Sequence, residues 1–337
     1  MSNKTKKTSL LVLELLEQNR GSFISGEQIG QSLNISRAAV WKAIKTLQGL
    51  NHQIESSTKI GYCLKSSSDV LSVDMITKLL NEKGDYNRPI YYYDEIDSTN
   101  RQAKRLALEG AVSGTIVISE TQSEGRGRNG KSFYSPKGSG LYLSLLLKPK
   151  VDSSIALRVT SAAAVATHRA IRECTNKITK IKWVNDLYLD NLKVCGILTE
   201  GISGFESRQI ESIVVGVGIN FKEPEKGYPD NINSIAGSLF KKDHKVELTR
   251  NELAASLILN LKKITDNLED NSYLKEYREN SLVIGKNVKV IAPNESYTAF
   301  IKQIDDNGAL IIELEDGSEK LLQSGEISLR PQDNSSW

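Results

Sequence analysis

The spacing of apolar positions changes along this 337-residue chain, and the changes mark three regions. Residues 1–66 show helical spacing in three short segments, followed by two strand-like runs. Residues 85–281 alternate strand-like and helical segments with short polar turns, which is typical of an α+β domain with a mixed sheet. Short strands with Asn-Gly and Asp-Gly hairpin signals follow. We predict an α+β multidomain protein, with a linker helix at 67–84, a small β-barrel at 282–330 and a frayed tail at 331–337.

The first region has the order of a winged helix-turn-helix. Ser25 and Gln28 fit a capping box at the start of a second helix. Ser36 is placed to cap a third helix over residues 37–47. Two strand-like runs at residues 53–55 and 62–64 predict a hairpin, the wing.

The third helix predicts a surface for DNA. Val40, Ile44 and Leu47 recur at helical spacing and should face the core, which leaves cations on the other side. A capped helix with exposed cations suits entry into the major groove. The candidate DNA-binding residues are Ser36, Arg37, Ala38, Lys42, Lys45 and, at the hairpin tip, Lys59. A three-helix protein-interaction module is the alternative.

Charge supports this division, whereas composition is ordinary. Residues 1–66 hold 9 Lys/Arg against 4 Asp/Glu, a net of +5, although the whole chain carries only +3. With 39% apolar and 25% charged residues, the chain is not a disordered tail, a collagen or a coiled coil. The apolar run at 141–147 is too short to span a membrane, and no signal peptide is recognised. Three widely spaced cysteines fit a reducing, cytoplasmic location.

A glycine-rich cationic segment at residues 125–132 is the densest chemical signal. It satisfies the P-loop pattern formally, but Pro136, Gly138 and Gly140 argue against the helix that a P-loop requires. Its three cations, Arg126, Arg128 and Lys131, suit carboxylate and phosphate groups. We interpret it as a flexible loop that closes over an anionic ligand; a solvated basic loop and a nucleic-acid patch remain alternatives.

Two glycines in a predicted strand add a second candidate element. Gly216 and Gly218 lie two residues apart and therefore share one face, where missing side chains leave room for a flat ligand. Asn220 can hydrogen-bond a base edge. A bulge or a twist is the structural alternative.

Taken in order, the motifs resemble those of the bacterial biotin protein ligases. They are Ser98-Thr99-Asn100; Gln122 with Gly125-Arg126-Gly127-Arg128; Lys182-Trp183-x-Asn185-Asp186-Leu187-Tyr188 with Lys193; Gly216-x-Gly218-Ile219-Asn220; and Gly325-Glu326-Ile327-Ser328-Leu329-Arg330. With a winged helix in front, the chain resembles the bifunctional class, which also represses genes of biotin synthesis or uptake. The resemblance covers essentially the whole chain and implies an SH3-like fold for the C-terminal domain.

The resemblance implies a role for each matching residue. It assigns the biotin pocket to Ser98, Thr99, Asn100 and Gln122, and the loop over biotin to Arg126, Gly127 and Arg128. Lys193 would meet the biotin carboxylate and, with Arg126 and Arg128, form the catalytic group. The ATP and adenylate side would hold Lys131, Phe133, Asp186, Gly216, Gly218, Asn220 and Arg330. Arg and Trp are usual in the family where this chain has Lys131 and Phe133; Lys lacks bidentate geometry and Phe offers less stacking area.

Substrates and partners follow from the same resemblance. Biotin and ATP are the expected substrates, with Mg²⁺ accompanying ATP and no metal held by the protein. The expected partners are a biotin carboxyl carrier domain, a palindromic operator DNA and a second copy of the chain, which forms a homodimer when the adenylate binds; no membrane is involved. Two alternatives stay open, a lipoate- or octanoate-handling ligase and a ligand-sensing regulator without useful catalysis.

Overall fold

The computed structural model describes residues 3–84, 86–148, 155–203, 210–244, 246, 248–292, 295–323 and 328–331. The chain forms two compact units, Met1–Leu79 with Asp243–Glu252, and Leu80–Lys242 with Leu253–Trp337. The domain boundaries predicted at residues 66, 84 and 281 stay predictions. The predicted frayed tail lies, from residue 332 onward, outside the described residues.

The first unit is a helix-turn-helix with a two-stranded wing. Its elements are α1 (Asn3–Gln18), α2 (Gly26–Leu33), α3 (Arg37–Gly49), β1 (Ile54–Ser57), β2 (Gly61–Leu64) and the start of α4 (Val73–Lys83). The predicted capping box is present, because Ser25 Oγ accepts from the Gln28 amide and Gln28 Oε1 accepts from the Ser25 amide. Ser36 Oγ accepts from the amide of Ala39 at 3.2 Å. The predicted fold of this region is confirmed.

The core of the first unit is built from one face of each helix. Val40, Ile44 and Leu47 of α3 are at most 2% exposed, as their spacing predicts, and they pack with α1 and α2 residues such as Leu16 and Ile29. Gln48 donates from Nε2 to Ile54 O at 2.9 Å, which ties α3 to the wing. The wing is therefore held at a fixed position beside α3.

The second unit is built on a seven-stranded mixed sheet. Its first strands and helices are β3 (Ile90–Ile96), α5 (Thr99–Leu108), β4 (Ile116–Gln122), β5 (Gly140–Leu147), α6 (Ile155–Thr175), β6 (Lys180–Lys182), β7 (Asp186–Leu189), β8 (Leu192–Ser203), β9 (Ile210–Asn220), α7 (Arg250–Thr265, which begins in the first unit) and α8 (Tyr273–Glu279). The strand order is β3-β4-β5-β9-β8-β7-β6, and only β3 and β4 run parallel. The predicted mixed α+β sheet is confirmed.

The two faces of this sheet are covered by different helices. On one face, Ala103 and Leu106 of α5 pack on Val117, Leu146 and Val214. Successive strand residues point to opposite faces, so Thr199 of β8 lies on the other side, where its hydroxyl is 2.8 Å from that of Thr160 in α6. The α5 face keeps free space beside the helix N-terminus, and the candidate site lies there.

The C-terminal part is an antiparallel sheet packed on the larger one. Its strands are β10 (Asn287–Ile291), β11 (Ser296–Ile304), β12 (Leu310–Glu313), β13 (Glu319–Leu322) and β14 (Ser328–Pro331), in the order β13-β12-β11-β10-β14. Gly308 and Gly317 have φ of 83° and 81°, as the predicted hairpin turns require. The described pairings do not join β13 to β14, so barrel closure stays a prediction. Buried Trp183 donates to Gly308 O at 3.0 Å and fixes this sheet against the site.

Candidate active site and nucleic-acid interface

One cavity of about 500 Å³ lies on the α5 face of the large sheet. Its size is within the range of small-molecule sites. It brings together fourteen of the predicted residues: Ser98, Thr99, Asn100, Gln122, Arg126, Gly127, Arg128, Lys131, Phe133, Asp186, Lys193, Gly216, Gly218 and Asn220. Arg330, in β14, is described only through its backbone, which pairs with Lys289 of β10, and residues 325–327 lie outside the described part. Residues that are more than 100 positions apart in the sequence thus line one site.

The N-terminus of α5 forms a polar wall of the cavity. Gln122, at the end of β4, accepts through Oε1 from the Thr99 amide at 2.9 Å and from the Thr99 hydroxyl at 3.1 Å. Ser98 occupies the N-cap position, but its hydroxyl makes no capping bond. Gln122 thus satisfies the first amide of the helix, and the Ser98 hydroxyl, which makes no capping bond, remains available to a ligand.

Asn100 is the centre of a buried hydrogen-bond network. Its Nδ2 donates to Leu198 O at 3.1 Å and to Glu200 Oε2 at 2.8 Å, and its Oδ1 lies 2.6 Å from Ser144 Oγ. A Cβ on Gly216 would lie only 2.2 Å from Asn100 Oδ1. The space predicted for a flat ligand at Gly216 is therefore taken by Asn100, and the glycine serves to bring that side chain onto the sheet.

Glu200, which the sequence motifs do not single out, joins this network to the cationic loop (residues 125–132). It accepts from Lys104 Nζ at 2.7 Å and from Arg126 at 3.1 Å. Burial opposes its charge, but the hydrogen bonds from Lys104 and Asn100 and the charge of Arg126 outweigh this, so the pKa of Glu200 lies below its ordinary value. Glu200 is thus an ionised anchor between the predicted biotin pocket and its loop. The sequence could have indicated Glu200 only through its position two residues after Leu198, which places both residues on the cavity face of β8.

The second paired glycine makes room for an aromatic ring. Gly218 faces Gly196 across β8 and β9, and added Cβ atoms would lie 2.6 Å and 3.2 Å from Phe133. Phe133 rests on this smooth patch and meets the Tyr142 ring edge-on at a centroid distance of 6.4 Å. The ring therefore forms a half-buried apolar wall, available for stacking with a second flat group.

The cationic loop is a short hairpin rather than a phosphate-binding P-loop. Gly127 N donates to Lys131 O at 2.7 Å, and Phe133 N donates to Gly125 O at 2.8 Å. Asn129 has φ of 55°, within a single 3-10 turn at Arg128–Gly130. A Cβ on Gly125 would lie 2.3 Å from Phe133 O, so this position requires glycine. No helix follows in the described residues up to β5, consistent with the rejection of the P-loop.

The cations of the cavity are held by polar partners. Lys193 Nζ lies 2.7 Å from Asp186 Oδ1, and Arg128 donates to Asn185 Oδ1 at 3.2 Å. Burial lowers the pKa of Arg128, and the Asp186 carboxylate partly offsets this. Arg126 and Lys131 are exposed at the rim. With the buried Lys182, which also lines it, the cavity has three cations inside and two at its mouth, an arrangement suited to an anionic ligand.

Asn220 supports the cavity wall. Its Nδ2 donates to Gly237 O at 2.8 Å, and Tyr228 donates to the same oxygen at 2.9 Å. The Lys193 backbone pairs with Ile235 O and the Gly237 amide, both at 2.8 Å. We predicted that Asn220 hydrogen-bonds a base edge. In the structure its amide nitrogen instead holds the segment 224–237 beside Lys193. Sequence reasoning did not identify this segment, which has no regular secondary structure.

In the first unit, the structure places all six predicted DNA-binding residues at the surface. Arg37, Ala38, Lys42 and Lys45 lie on the side of α3 opposite its buried residues, and Lys59 lies at the tip of the wing. Arg37 has one acidic neighbour, Glu27 at 3.9 Å, and both side chains are well exposed. The helix therefore presents a cationic face.

The described residues lack two other classes of feature. No group of three or more His, Cys, Asp or Glu side chains there could hold a metal ion. Nor does any described helix have the length and hydropathy to cross a bilayer. The cysteines at 63, 174 and 195 form no disulfide.

Three family models match the chain. The Biotin/lipoate A/B protein ligase family matches residues 92–220, an HTH domain matches residues 8–63, and the Biotin protein ligase C terminal domain matches residues 283–330. The chain is 30% identical to the Bifunctional ligase/repressor BirA of Bacillus subtilis, with 94% of this chain and 97% of the relative covered. It is 32% identical to the protein of that name in Salmonella typhimurium, with 97% and 99% covered.

The fold agrees with a solved structure. The biotin protein ligase from Aquifex aeolicus in complex with biotin and ATP matches with a TM-score of 0.62 and 26% identity, over 73% of this chain and all of that one. The combination of a helix-turn-helix unit with a biotin/lipoate ligase fold defines a class of proteins that have both a DNA-binding domain and a ligase domain. The chain belongs to the bifunctional ligase/repressor family of biotin protein ligases, as the order of its motifs indicated.

Proposed function

We propose that this protein converts biotin and ATP to biotinyl-5′-AMP and pyrophosphate and then transfers biotin to a lysine of a biotin carboxyl carrier domain. The observation that carries this proposal is the convergence of Lys193, Arg128 and Arg126 on one cavity whose polar end is formed by Thr99, Asn100 and Gln122. Such a cavity holds a ring with hydrogen-bonding edges at one end and its carboxylate among cations at the other.

The first half-reaction requires no protein nucleophile. A biotin carboxylate oxygen attacks the α-phosphorus of ATP, a P–O bond forms, and the bond to pyrophosphate breaks to leave biotinyl-5′-AMP. Lys193 and Arg128 would hold the carboxylate against the phosphate and stabilise the charge that develops there. Arg126 and Lys131, at the rim, would cover the adenylate when the loop closes.

In the second half-reaction an acceptor lysine amine attacks the acyl carbon of the adenylate. A C–N amide bond forms, the C–O bond to AMP breaks, and the amine loses a proton. Exclusion of water by the closed loop would keep the mixed anhydride from hydrolysis until the acceptor arrives. Phe133 would stack on adenine above the Gly196–Gly218 patch.

Magnesium would enter as the companion of the ATP phosphates. Asp186 is the only acid among the described cavity-lining residues, and one carboxylate suits a metal bound mainly by phosphate oxygens and water. Bound there, the ion would neutralise phosphate charge. Arg330 would reach the site from the terminal domain.

Repression is the second function that we propose, because α3 presents the cationic face of Arg37, Lys42 and Lys45. Adenylate binding would favour a homodimer, which would place two winged helices on a palindromic operator. A ligand can drive this only if it binds the dimer more tightly than the monomer. We also propose a cytoplasmic site of action.

One experiment separates the alternatives. The full chain is incubated with labelled ATP and a biotin carboxyl carrier domain, with and without biotin. Biotin-dependent pyrophosphate release and acceptor labelling are expected. Transfer of lipoate or octanoate instead would identify the other ligase class, and ligand binding without pyrophosphate would identify a sensor. Operator binding that is indifferent to biotin and ATP would refute the ligand-driven switch.

A further inference from the structure

The most exposed aromatic side chain of α3 is Trp41. It is 56% exposed, while Trp183 of the ligase domain is 4% exposed. The α3 residues that form the core are Val40, Ala43, Ile44 and Leu47, so Trp41 lies on the opposite side of the helix. A single exposed apolar side chain is common on protein surfaces, so the case for a contact at Trp41 rests on the residues around it.

The neighbours of Trp41 limit what that contact can be. Arg37 and Lys45 lie one helical turn before and after it, and Ala38 and Lys42 lie beside it on the same exposed side. A second copy of this face would bring like charges together, which is unfavourable. An anionic partner with an apolar feature at its centre fits both the charges and the indole.

The DNA major groove provides that combination. Phosphates flank it, and its apolar feature is the C5 methyl group of thymine. Indole offers one N–H donor and no acceptor, so its large ring surface recognises shape and apolarity. Ala38 has too little bulk to keep the helix away from the base edges, and the Gln48 bond to Ile54 O holds the wing beside the helix.

We propose that Trp41 is a specificity-determining residue that reads a thymine methyl group in each half-site of the operator. This inference rests on the proposed repressor function. In it, Arg37, Lys42 and Lys45 would supply sequence-independent attraction to phosphate, while Trp41 would supply discrimination at one base pair.

The test begins with selection. The full-length protein, with biotin and ATP, selects binding sites from a library of random DNA duplexes. In the selected site each thymine is then replaced singly by deoxyuridine, which removes only the methyl group. At one position per half-site we expect the affinity of the wild-type protein to fall about fourfold, the effect of losing one buried methyl-sized group.

The matched variants separate Trp41 from its surroundings. Trp41→Ala should bind the selected site more weakly and be indifferent to deoxyuridine at that position, and Trp41→Phe should keep part of the effect. Leu50→Ala, which removes a side chain of similar exposure (52%) just beyond α3, should keep the full effect. Ligase activity should be unchanged in all three variants, because the substituted residues lie in the first unit and the cavity lies in the second.

The outcomes distinguish this inference from the function on which it rests. If the wild-type protein selects no sequence, the repressor proposal fails. If it selects a site but every deoxyuridine exchange affects wild-type and Trp41→Ala proteins equally, the repressor proposal stands and the role of Trp41 is overturned.

Discussion

The replacement Gly216→Ala tests most directly why the site has its shape. The added methyl group would lie 2.2 Å from Asn100 Oδ1, 2.9 Å from its Cγ and 3.1 Å from its Nδ2. Gly216 sits in β9, between β5 and β8, so the backbone has neighbours on both sides and cannot easily retreat. Asn100, only 3% exposed, must therefore leave its place.

The cost follows from the bonds that Asn100 would abandon. Its displacement would break the bonds to the Leu198 carbonyl, to Glu200 and to the buried Ser144 hydroxyl, which keeps its bond to Thr99 Oγ1 at 2.8 Å. A hydrogen bond of this kind contributes about 0.5–1.5 kcal/mol, so the loss of three bonds lowers the free energy of unfolding by roughly 3 kcal/mol. Loss of one ligand hydrogen bond at Asn100 should also weaken biotin binding about tenfold.

Two other glycines of the same sheet provide controls. Gly201→Ala places its methyl group 3.4 Å from Ile210, an ordinary contact, and removal of a strand glycine should leave stability unchanged or raise it by up to about 1 kcal/mol. Gly218→Ala would meet only Phe133, a half-exposed ring that can swing outward. It should lower ATP use while biotin binding persists.

The assays are urea unfolding and calorimetric titration with biotin, on all three variants and the wild-type protein. The reasoning is refuted if Gly216→Ala unfolds with the same free energy as Gly201→Ala and binds biotin like the wild-type protein. A loss of stability without a loss of biotin affinity would retain the packing argument and remove Asn100 from the biotin pocket.

Three further predictions concern single side chains. Lys193→Ala should lower biotin-dependent pyrophosphate release by about 10²–10³-fold with an unchanged unfolding midpoint. The control Lys180→Ala, at an exposed position, should keep the wild-type rate. If Lys193→Ala releases pyrophosphate at the wild-type rate, the proposed role of Lys193 is excluded. Because the pKa of Glu200 is depressed in the folded protein, its stabilisation is fully present above the ordinary value of 4.5 and is lost as pH falls through the lower folded value. The stability gap between wild-type and Glu200→Gln proteins should therefore shrink only below pH 4.5 in urea titrations, and a gap that closes at higher pH would contradict the network. Trp183→Phe should cost about 1–3 kcal/mol in unfolding, since it strands the Gly308 carbonyl, while exposed Trp41→Phe should cost nothing measurable; equal midpoints would show that the bond does not fasten the C-terminal sheet.

Local structure could be predicted from the sequence because its causes are local. The capping box of Ser25 and Gln28 was predictable, and so was that of Thr249 and Glu252, since both bonds span three residues. The turns at Gly308 and Gly317 were predictable from the Asn and Asp that precede these glycines. The strand β14 carries no such signal, because four residues ending in proline become a strand only when β10 offers them an edge.

The sequence by itself determined the elements and the mixed α+β character, because its hydrophobic pattern carries that information, and the resemblance of its ordered motifs to a known family indicated which residues would meet. Only the tertiary structure decided what each residue does there. Gly216 makes room for Asn100, and Glu200 anchors Arg126, because strands far apart in sequence are neighbours in the sheet. Such roles depend on distances between side chains 74 to 116 positions apart, which local physical chemistry does not set.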